Sequence, residues 1–396
     1  MEHVDWRAKG FWWPGPPVSL AQFAAARHGL FDGAFTWPVL VARETALAHN
    51  IDTLARFCAR HEIELAPHGK TTMAPALWAR QLRAGAVAVT VATANQLLAC
   101  HALGVRRVLL ANELLDPVPL RWLAREIEQG FDVLCFVDSA AGVQAMLDAG
   151  GRFRVLVELG FPGGRSGCRS LDSLVALARA VDAAPMLELA GVAAYDGGLP
   201  DAAAAARFLD GVRKAVLELA DLLPDEVVVS AGGSSFFDVV ADRLAGQWLP
   251  GHRLRVVLRS GAYVSHDDGL YHERTPFRRL PDEGSLRAAL EIWAQVTSVP
   301  EPGLAIVGMG KRDVSYDAGL PIPRSVRTLD GETRPADGLS VTAINDHHAY
   351  VSGSGLQPGE LVGFGISHPC TAFDKWQLIP VVDDDYVVID LLRTYF

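Results

Sequence analysis

Between residues 63 and 260 the chain alternates eight short apolar runs with Ala- and Leu-rich segments of helical period. No other feature limits the fold as much. The runs fall at about 63–69, 87–93, 107–113, 132–138, 154–160, 187–195, 227–232 and 254–260, and the helical segments include 74–83, 117–129, 139–149, 171–183 and 202–222. The runs are apolar throughout rather than at every second residue, as expected of strands covered by helices. Eight such units are the inventory of a (β/α)8 TIM-type barrel, which puts the chain in the α/β class. An open doubly wound sheet is the alternative, but no G-x-G-x-x-G follows the first strand.

From about residue 290 the texture changes. Segments 292–299, 304–309, 339–344, 361–366, 377–382 and 386–392 read as strands separated by Gly, Pro and Asp turns, with no long helix among them. The expected organisation is an N-terminal segment (1–35), a barrel (36–275) and a C-terminal β domain (276–396). The strand-like stretch Trp37 to Ala42 precedes the barrel and is a candidate to join it. Residues 264–285 read as a polar connector. A chain of 396 residues is long enough for two cores.

The formal net charge of −10, without a basic run, argues against nucleic acid and against acidic membrane surfaces. Cysteines 58, 100, 135, 168 and 370 have no disulfide-like spacing. The first four suit reduced core thiols of a cytoplasmic protein. Met1-Glu2-His3-Val4-Asp5 lacks a signal-peptide pattern. Residues 84–105 carry no Asp, Glu, Lys or Arg, but Thr90, Thr93, Asn95, Gln96 and His101 interrupt them. A buried strand followed by an amphipathic helix explains that stretch better than a membrane span.

In a barrel of this kind function gathers where strands end. The first strand ends in Pro67-His68-Gly69-Lys70-Thr71-Thr72. A lysine there is either solvated or desolvated, and in the second case its lowered pKa makes it a base or a Schiff-base former. The fifth strand ends in Gly163-Gly164-Arg165-Ser166-Gly167, the sixth in Ala194-Tyr195-Asp196-Gly197-Gly198, the seventh in Gly232-Gly233-Ser234-Ser235 and the eighth in Arg259-Ser260-Gly261-Ala262-Tyr263. The last two have the composition of phosphate cradles, because glycines let backbone N–H groups approach phosphate oxygens and serines add donors. Each alone reads as an ordinary tight turn. With a lysine on the adjoining strand and an arginine nearby, they point to pyridoxal 5′-phosphate.

These motifs resemble the fold-type III pyridoxal phosphate enzymes of the alanine racemase type, and more narrowly their D-serine dehydratase and D-threonine aldolase branch. The resemblance spans roughly residues 35–396. It implies a barrel, a C-terminal β domain and a head-to-tail homodimer. It implies Lys70 as the lysine that carries the cofactor and places Arg165 near the pyridine nitrogen. It also implies Tyr195, Gly233, Ser234, Gly261, Ala262 and Tyr263 around the phosphate or ring.

A second motif, Gly365-Ile366-Ser367-His368-Pro369-Cys370-Thr371, follows the apolar run Leu361 to Phe364. In extended chain His368 and Cys370 point the same way and can reach one metal ion. Imidazole plus thiolate suits Zn²⁺, yet two ligands fall short of a structural zinc, and the pattern alone favours a packed pair. The resemblance reverses that preference: His368 through Trp376 is similar to a stretch specific to dehydratase-like members, whose histidine and cysteine bind zinc beside the cofactor. Manganese is the alternative metal. Aldolase members usually carry aspartate in place of the cysteine, so Cys370 favours elimination. His348 resembles another histidine of the branch, outside the metal's direct ligands, and His347 beside it leaves that register open.

Three departures stand out. The phosphate loop reads Gly-Gly-Ser-Ser-Phe, residue 262 is Ala where Asn or Thr is common, and Gly308 to Asp313 differs from better-known members. The expected function is a zinc-assisted lyase on β-hydroxy D-amino acids, eliminating water to leave a 2-oxo acid and ammonia. The alternatives are retro-aldol cleavage to glycine and an aldehyde, a racemase with Tyr316 as second base, and a non-catalytic cofactor carrier.

Overall fold

The computed structural model describes residues 3–396. Met1 and Glu2 of the expected N-terminal segment lie outside the described residues. All eight expected barrel strands form: Glu64–Leu65, Val89–Val91, Arg107–Glu113, Asp132–Val137, Phe153–Leu159, Leu187–Ala194, Glu226–Ala231 and Arg253–Leu258. They pair in parallel into one sheet in which Glu64–Leu65 neighbours Arg253–Leu258. The ring closes between the first two strands through a His68–Thr90 bridge and the Val87 N–H donating to Leu65 O at 2.8 Å.

Successive strand residues point to opposite faces, which is why the runs are apolar throughout. Val227 and Val229 face the surrounding helices, while Val228 joins Ala66, Leu109, Phe136, Leu156 and Val257 inside the barrel. Each fully buried Val or Leu side chain contributes about 1.5–3 kcal/mol. Five of the crossover helices start on a capping side chain, namely Thr93, Asp116, Ser139, Ser170 and Asp201. Each oxygen accepts a backbone N–H that the helix cannot satisfy internally. Residues 84–105 resolve into the strand Val89–Val91 and the helix Ala94–Ala102. Among the described residues no helix is long and apolar enough to cross a membrane.

The second sheet is antiparallel in the main and pivots on the long strand Leu290–Glu301. That strand pairs with Leu361–Gly365 on one side and with Val39–Arg43 on the other. The stretch Trp37 to Ala42 therefore does not join the barrel. An apolar extended run specifies burial but not a partner, and this one finds its partner some 250 residues later. Ile322–Arg327, Thr333–Pro335 and Ala349–Ser352 are strands that the sequence reading left as turns. Pro321 and Pro323 disguised the first, which carries a register irregularity at Pro323/Ser325.

The N-terminal segment packs on this sheet through Phe11, Phe23 and Leu30, which share a core with Trp293 and Leu378. Lys9 extends from it to Asp313 at 2.8 Å and over the Trp376 ring at 4.1 Å. Cys58, Cys100, Cys135 and Cys168 are buried free thiols, whereas Cys370 is half-buried. Burial pushes Cys58, Cys100 and Cys135 up to about 12, which keeps them inert.

Candidate active site

The C-terminal ends of the barrel strands enclose a cleft of about 570 Å³. Lys70 enters it from the short turn Gly69–Thr71. Gly69 is required there, because a Cβ would lie 2.8 Å from Val89 Cγ1 and 3.1 Å from Trp78 Nε1. Burial holds the Lys70 amine below its ordinary value; Arg165 and Arg259 push the same way, and Cys370 opposes them. An amine so placed gives up its proton more readily than a solvated lysine, which suits a base or nucleophile.

Gly232, Gly233 and Ser234, and Gly261 with Ala262, line the same cleft as Lys70. A Cβ on Gly261 would sit 2.8 Å from His68 Cβ and 2.8 Å from Thr71 Oγ1, so this backbone approaches the lysine turn as only glycine can. A Cβ on Gly233 would meet only Tyr195 Cε2, at 3.7 Å, and would otherwise project into the cleft. The Ser260 hydroxyl donates to Gly233 O at 2.7 Å and ties the two glycine turns together. The Arg165 guanidinium lies over the Tyr195 ring, 4.4 Å from its centroid.

Lys70, Arg165, Tyr195, Gly233, Ser234, Gly261, Ala262 and Cys370 thus line one cleft, as expected. The Tyr263 side chain does not. It turns into the core, 1% exposed, where its hydroxyl accepts from Gln81 at 3.0 Å. It begins one residue beyond the last cleft backbone, and the tight turn Ala262–Val264 swings it to the far side. Tyr316 is exposed, and neither it nor His347 or His348 is part of the cleft. His347 instead lies 3.7 Å from Asp313.

Sequence reasoning passed over several cleft residues. Arg259 is buried beneath the cleft, donating to Ser230 Oγ at 2.6 Å and to Ala194 O at 2.7 Å. Glu158 also lines the cleft, with Oε2 unpartnered, and burial raises its carboxyl. His68 is half-buried, with its Nδ1 buried and unpartnered, and burial together with Lys70 holds it well below the usual histidine range. A charge inside an apolar run was a readable signal for Glu158 and Arg259. Tyr271, from the polar connector, lines the cleft with no sequence signal at all.

At the cleft edge Cys370 sits within 3.5 Å of Thr71 Oγ1. The nearby Cys370 sulfur, reinforced by Asp317, raises the His368 imidazole to about 9. His368 Nδ1 is 2.6 Å from Asp317 Oδ2, and Thr371 Oγ1 donates to Asp317 Oδ1 at 2.6 Å. Asp317 had no sequence signal, since it lies some fifty residues upstream. A carboxylate that orients one ring nitrogen leaves the other to a ligand, the usual arrangement of metal-binding histidines. Among the described residues no cluster of three or more His, Cys, Asp or Glu could hold a metal. An ion held by His368 and Cys370 would take its remaining positions from other ligands.

A parallel barrel whose strand ends gather a desolvated lysine, a Gly/Ser turn and two arginines in one cleft is the arrangement expected of a pyridoxal phosphate enzyme, and its fold is that of the alanine racemase type. Residues 289–382 match the family model of a serine dehydratase domain. The chain is 27% identical over 335 residues to the D-threonine aldolase of an Arthrobacter species, covering 81% of this chain and 80% of that one. It is 28% identical over 336 residues to the D-threo-3-hydroxyaspartate dehydratase of a Delftia species, covering 80% and 83%. A solved D-threonine aldolase from Filomicrobium marinum shares the fold at TM-score 0.75 and 24% identity, over 91% of this chain and 94% of that one. A cysteine-to-alanine mutant of a D-threo-3-hydroxyaspartate dehydratase, solved in the metal-free form, shares the fold at TM-score 0.71 and 22% identity, over 91% and 97%. These similarities support kinship with the fold-type III pyridoxal phosphate enzymes of the D-serine dehydratase and D-threonine aldolase type, and the named relatives are lyases.

Proposed function

We propose that this enzyme removes water from β-hydroxy D-amino acids, yielding a 2-oxo acid and ammonia, with zinc on His368 and Cys370. The observation that carries this reading is that the Cys370 sulfur lines the same cleft as Lys70. A thiolate–imidazole pair there suits a borderline-soft Lewis acid within reach of a leaving group. When bound, pyridoxal phosphate supplies an electron sink for charge developing at Cα, and zinc supplies Lewis acidity at the β-oxygen.

The residues divide the remaining work. Gly233, Ser234, Gly261 and Ala262 offer backbone N–H groups and a hydroxyl to the phosphate. Arg165 and Arg259 add fixed positive charge and favour an anionic ligand. Lys70 would tether the cofactor and, once free, take the proton from Cα; burial lowers its pKa and so eases loss of the ammonium proton. Asp317 fixes the His368 ring. The β-hydroxyl leaves with an added proton as water, and hydrolysis of the released enamine consumes one water and gives the oxo acid and ammonia. As the active form we propose a homodimer, which sedimentation analysis would test.

The similarity to the Arthrobacter aldolase favours a second reading, in which Cα–Cβ breaks to give glycine and an aldehyde. Products separate the two. Enzyme loaded with pyridoxal phosphate and zinc is incubated with D-serine, D-threonine and D-threo-3-hydroxyaspartate. Oxo acid with ammonia supports elimination; glycine with aldehyde replaces it with the aldolase reading.

A further inference from the structure

We propose that Tyr271 hydrogen-bonds the departing β-hydroxyl of the substrate, and that Asp267 is the residue that positions it; this rests on the elimination reading above. Tyr271 lines the cleft, and its ring centroid lies 6.0 Å from that of His368. It therefore stands on the Cys370 side, where a β-substituent would face the His368–Cys370 pair, rather than over the glycine cradle. Tyr263 and Tyr386 spend their hydroxyls elsewhere, Tyr263 accepting from Gln81 at 3.0 Å and Tyr386 donating to Glu291 at 2.8 Å, while Tyr195, the other tyrosine of the cleft, stacks under Arg165 at 4.4 Å. Among the described residues the Tyr271 hydroxyl makes no hydrogen bond, so it is free to donate to a ligand in the cleft. Burial, with Cys370, raises this phenol above its ordinary value, which keeps the donor proton in place.

The segment that carries Tyr271 is held from two sides. Asp267 is 2% exposed, and its Oδ1 accepts the N–H groups of Gly269 at 3.0 Å, Tyr271 at 2.8 Å and His272 at 3.2 Å. The Asp268 N–H donates to Ile366 O at 2.8 Å and the Leu270 N–H to Ser367 O at 3.2 Å, next to His368. A Cβ on Gly269 would fall 2.3 Å from Ser367 Oγ, so glycine alone permits this approach. The backbone thus registers Tyr271 against the very strand end that presents the proposed metal ligands. A donor held in advance where charge develops on the leaving oxygen lowers the barrier without reorganisation.

Two probes that share carboxylate, amine and Cα but differ in leaving group test this: D-serine and β-chloro-D-alanine, assayed for pyruvate with loaded enzyme. Tyr271→Phe should lower kcat on D-serine about 100-fold. Its loss on β-chloro-D-alanine should be roughly tenfold smaller or less, because chloride leaves without a hydrogen-bond donor. Asp267→Ala should show the same selective loss, and Asp267→Asn, which keeps the acceptor oxygen, should restore the D-serine rate. In the cofactor-free protein, amide exchange at Gly269, Tyr271 and His272 should quicken in Asp267→Ala but not in Tyr271→Phe. Equal losses on both probes, as from a contact to the carboxylate, would overturn the Tyr271 role while leaving elimination intact. Full D-serine activity in Tyr271→Phe would do the same. Glycine and aldehyde from the unaltered enzyme would remove both readings together.

Discussion

The two ends of the barrel handle charge in opposite ways. At the N-terminal ends of the strands Arg107, Arg154, Arg253 and Arg255 each meet a carboxylate. Arg255 holds Glu64 through two bonds, at 2.9 and 2.7 Å, and Glu226 at 2.7 Å. Arg154 bridges Asp132 and Glu188, and Arg107 joins Asp132 at 2.7 Å. These groups stay partly solvated and cost little. At the C-terminal ends the charges are buried and left short of partners. Glu158 and Asp196 have carboxylate oxygens with no hydrogen bond, and His68 has an empty ring nitrogen. Unsatisfied buried polar groups destabilise a fold, so their concentration at one end marks where binding outweighs stability. That contrast is the expected polarity of a barrel enzyme, with catalysis at one face and structure at the other.

The comparison breaks most visibly at Lys70. Lys70→Ala should cut turnover about 10⁴-fold, since tether and base are lost together, and should abolish the visible absorbance of the bound cofactor. A variant that kept both would show that the cleft is not the active centre. His368→Ala comes next. It should lose bound zinc on elemental analysis and lower elimination about 10³-fold, the several kcal/mol that a Lewis acid supplies. Full activity without metal would sink the zinc role.

Asp196 sharpens the same contrast through stability. It is fully buried, and burial raises its carboxyl from 3.8 to about 6, although the nearby N–H groups of Asp196 and Gly232 and the charge of Arg259 offset part of the cost. A raised folded-state pKa on an acid means that the unfolded chain ionises first. Stability therefore falls as pH rises from about 4 through about 6, and the whole penalty is present above that. Asp196→Asn should be more stable than the parent at pH 8, by up to about 3 kcal/mol at 1.36 kcal/mol per pKa unit, with the difference vanishing towards pH 4. Denaturant titrations at pH 4.5 and 8 would read it, and a less stable variant at pH 8 would mean that Arg259 holds the ionised carboxylate. The smallest effect belongs to the other end. Arg255→Gln leaves Glu64 and Glu226 facing each other and should cost about 1 kcal/mol of stability with kcat unchanged. A fall in kcat there would erase the division of labour between the two faces.

The barrel was legible because each of its strands is a local apolar run bounded by turn residues, and a parallel sheet needs such runs in series. Lys70, the glycine turns and the His368–Cys370 pair were legible for the same reason: each lies within a few residues of a strand end. Tyr263 misled because its neighbours in sequence line the cleft while its own side chain turns to the core. Asp317 and Tyr271 could not be found at all, since each acquires its role from a residue some fifty to a hundred positions away.

By itself the sequence determined the strand–helix period, the residues at the strand ends and the chemistry those residue types allow, because backbone propensity and side-chain alternation act over a few residues. Only the tertiary structure decided that Val39–Arg43 crosses to the second sheet. It also decided that Arg259 is buried under the cleft and that the connector brings Tyr271 to His368. Those outcomes depend on which distant surfaces exclude water together, and burial of that kind is a property of the packed whole rather than of any local stretch.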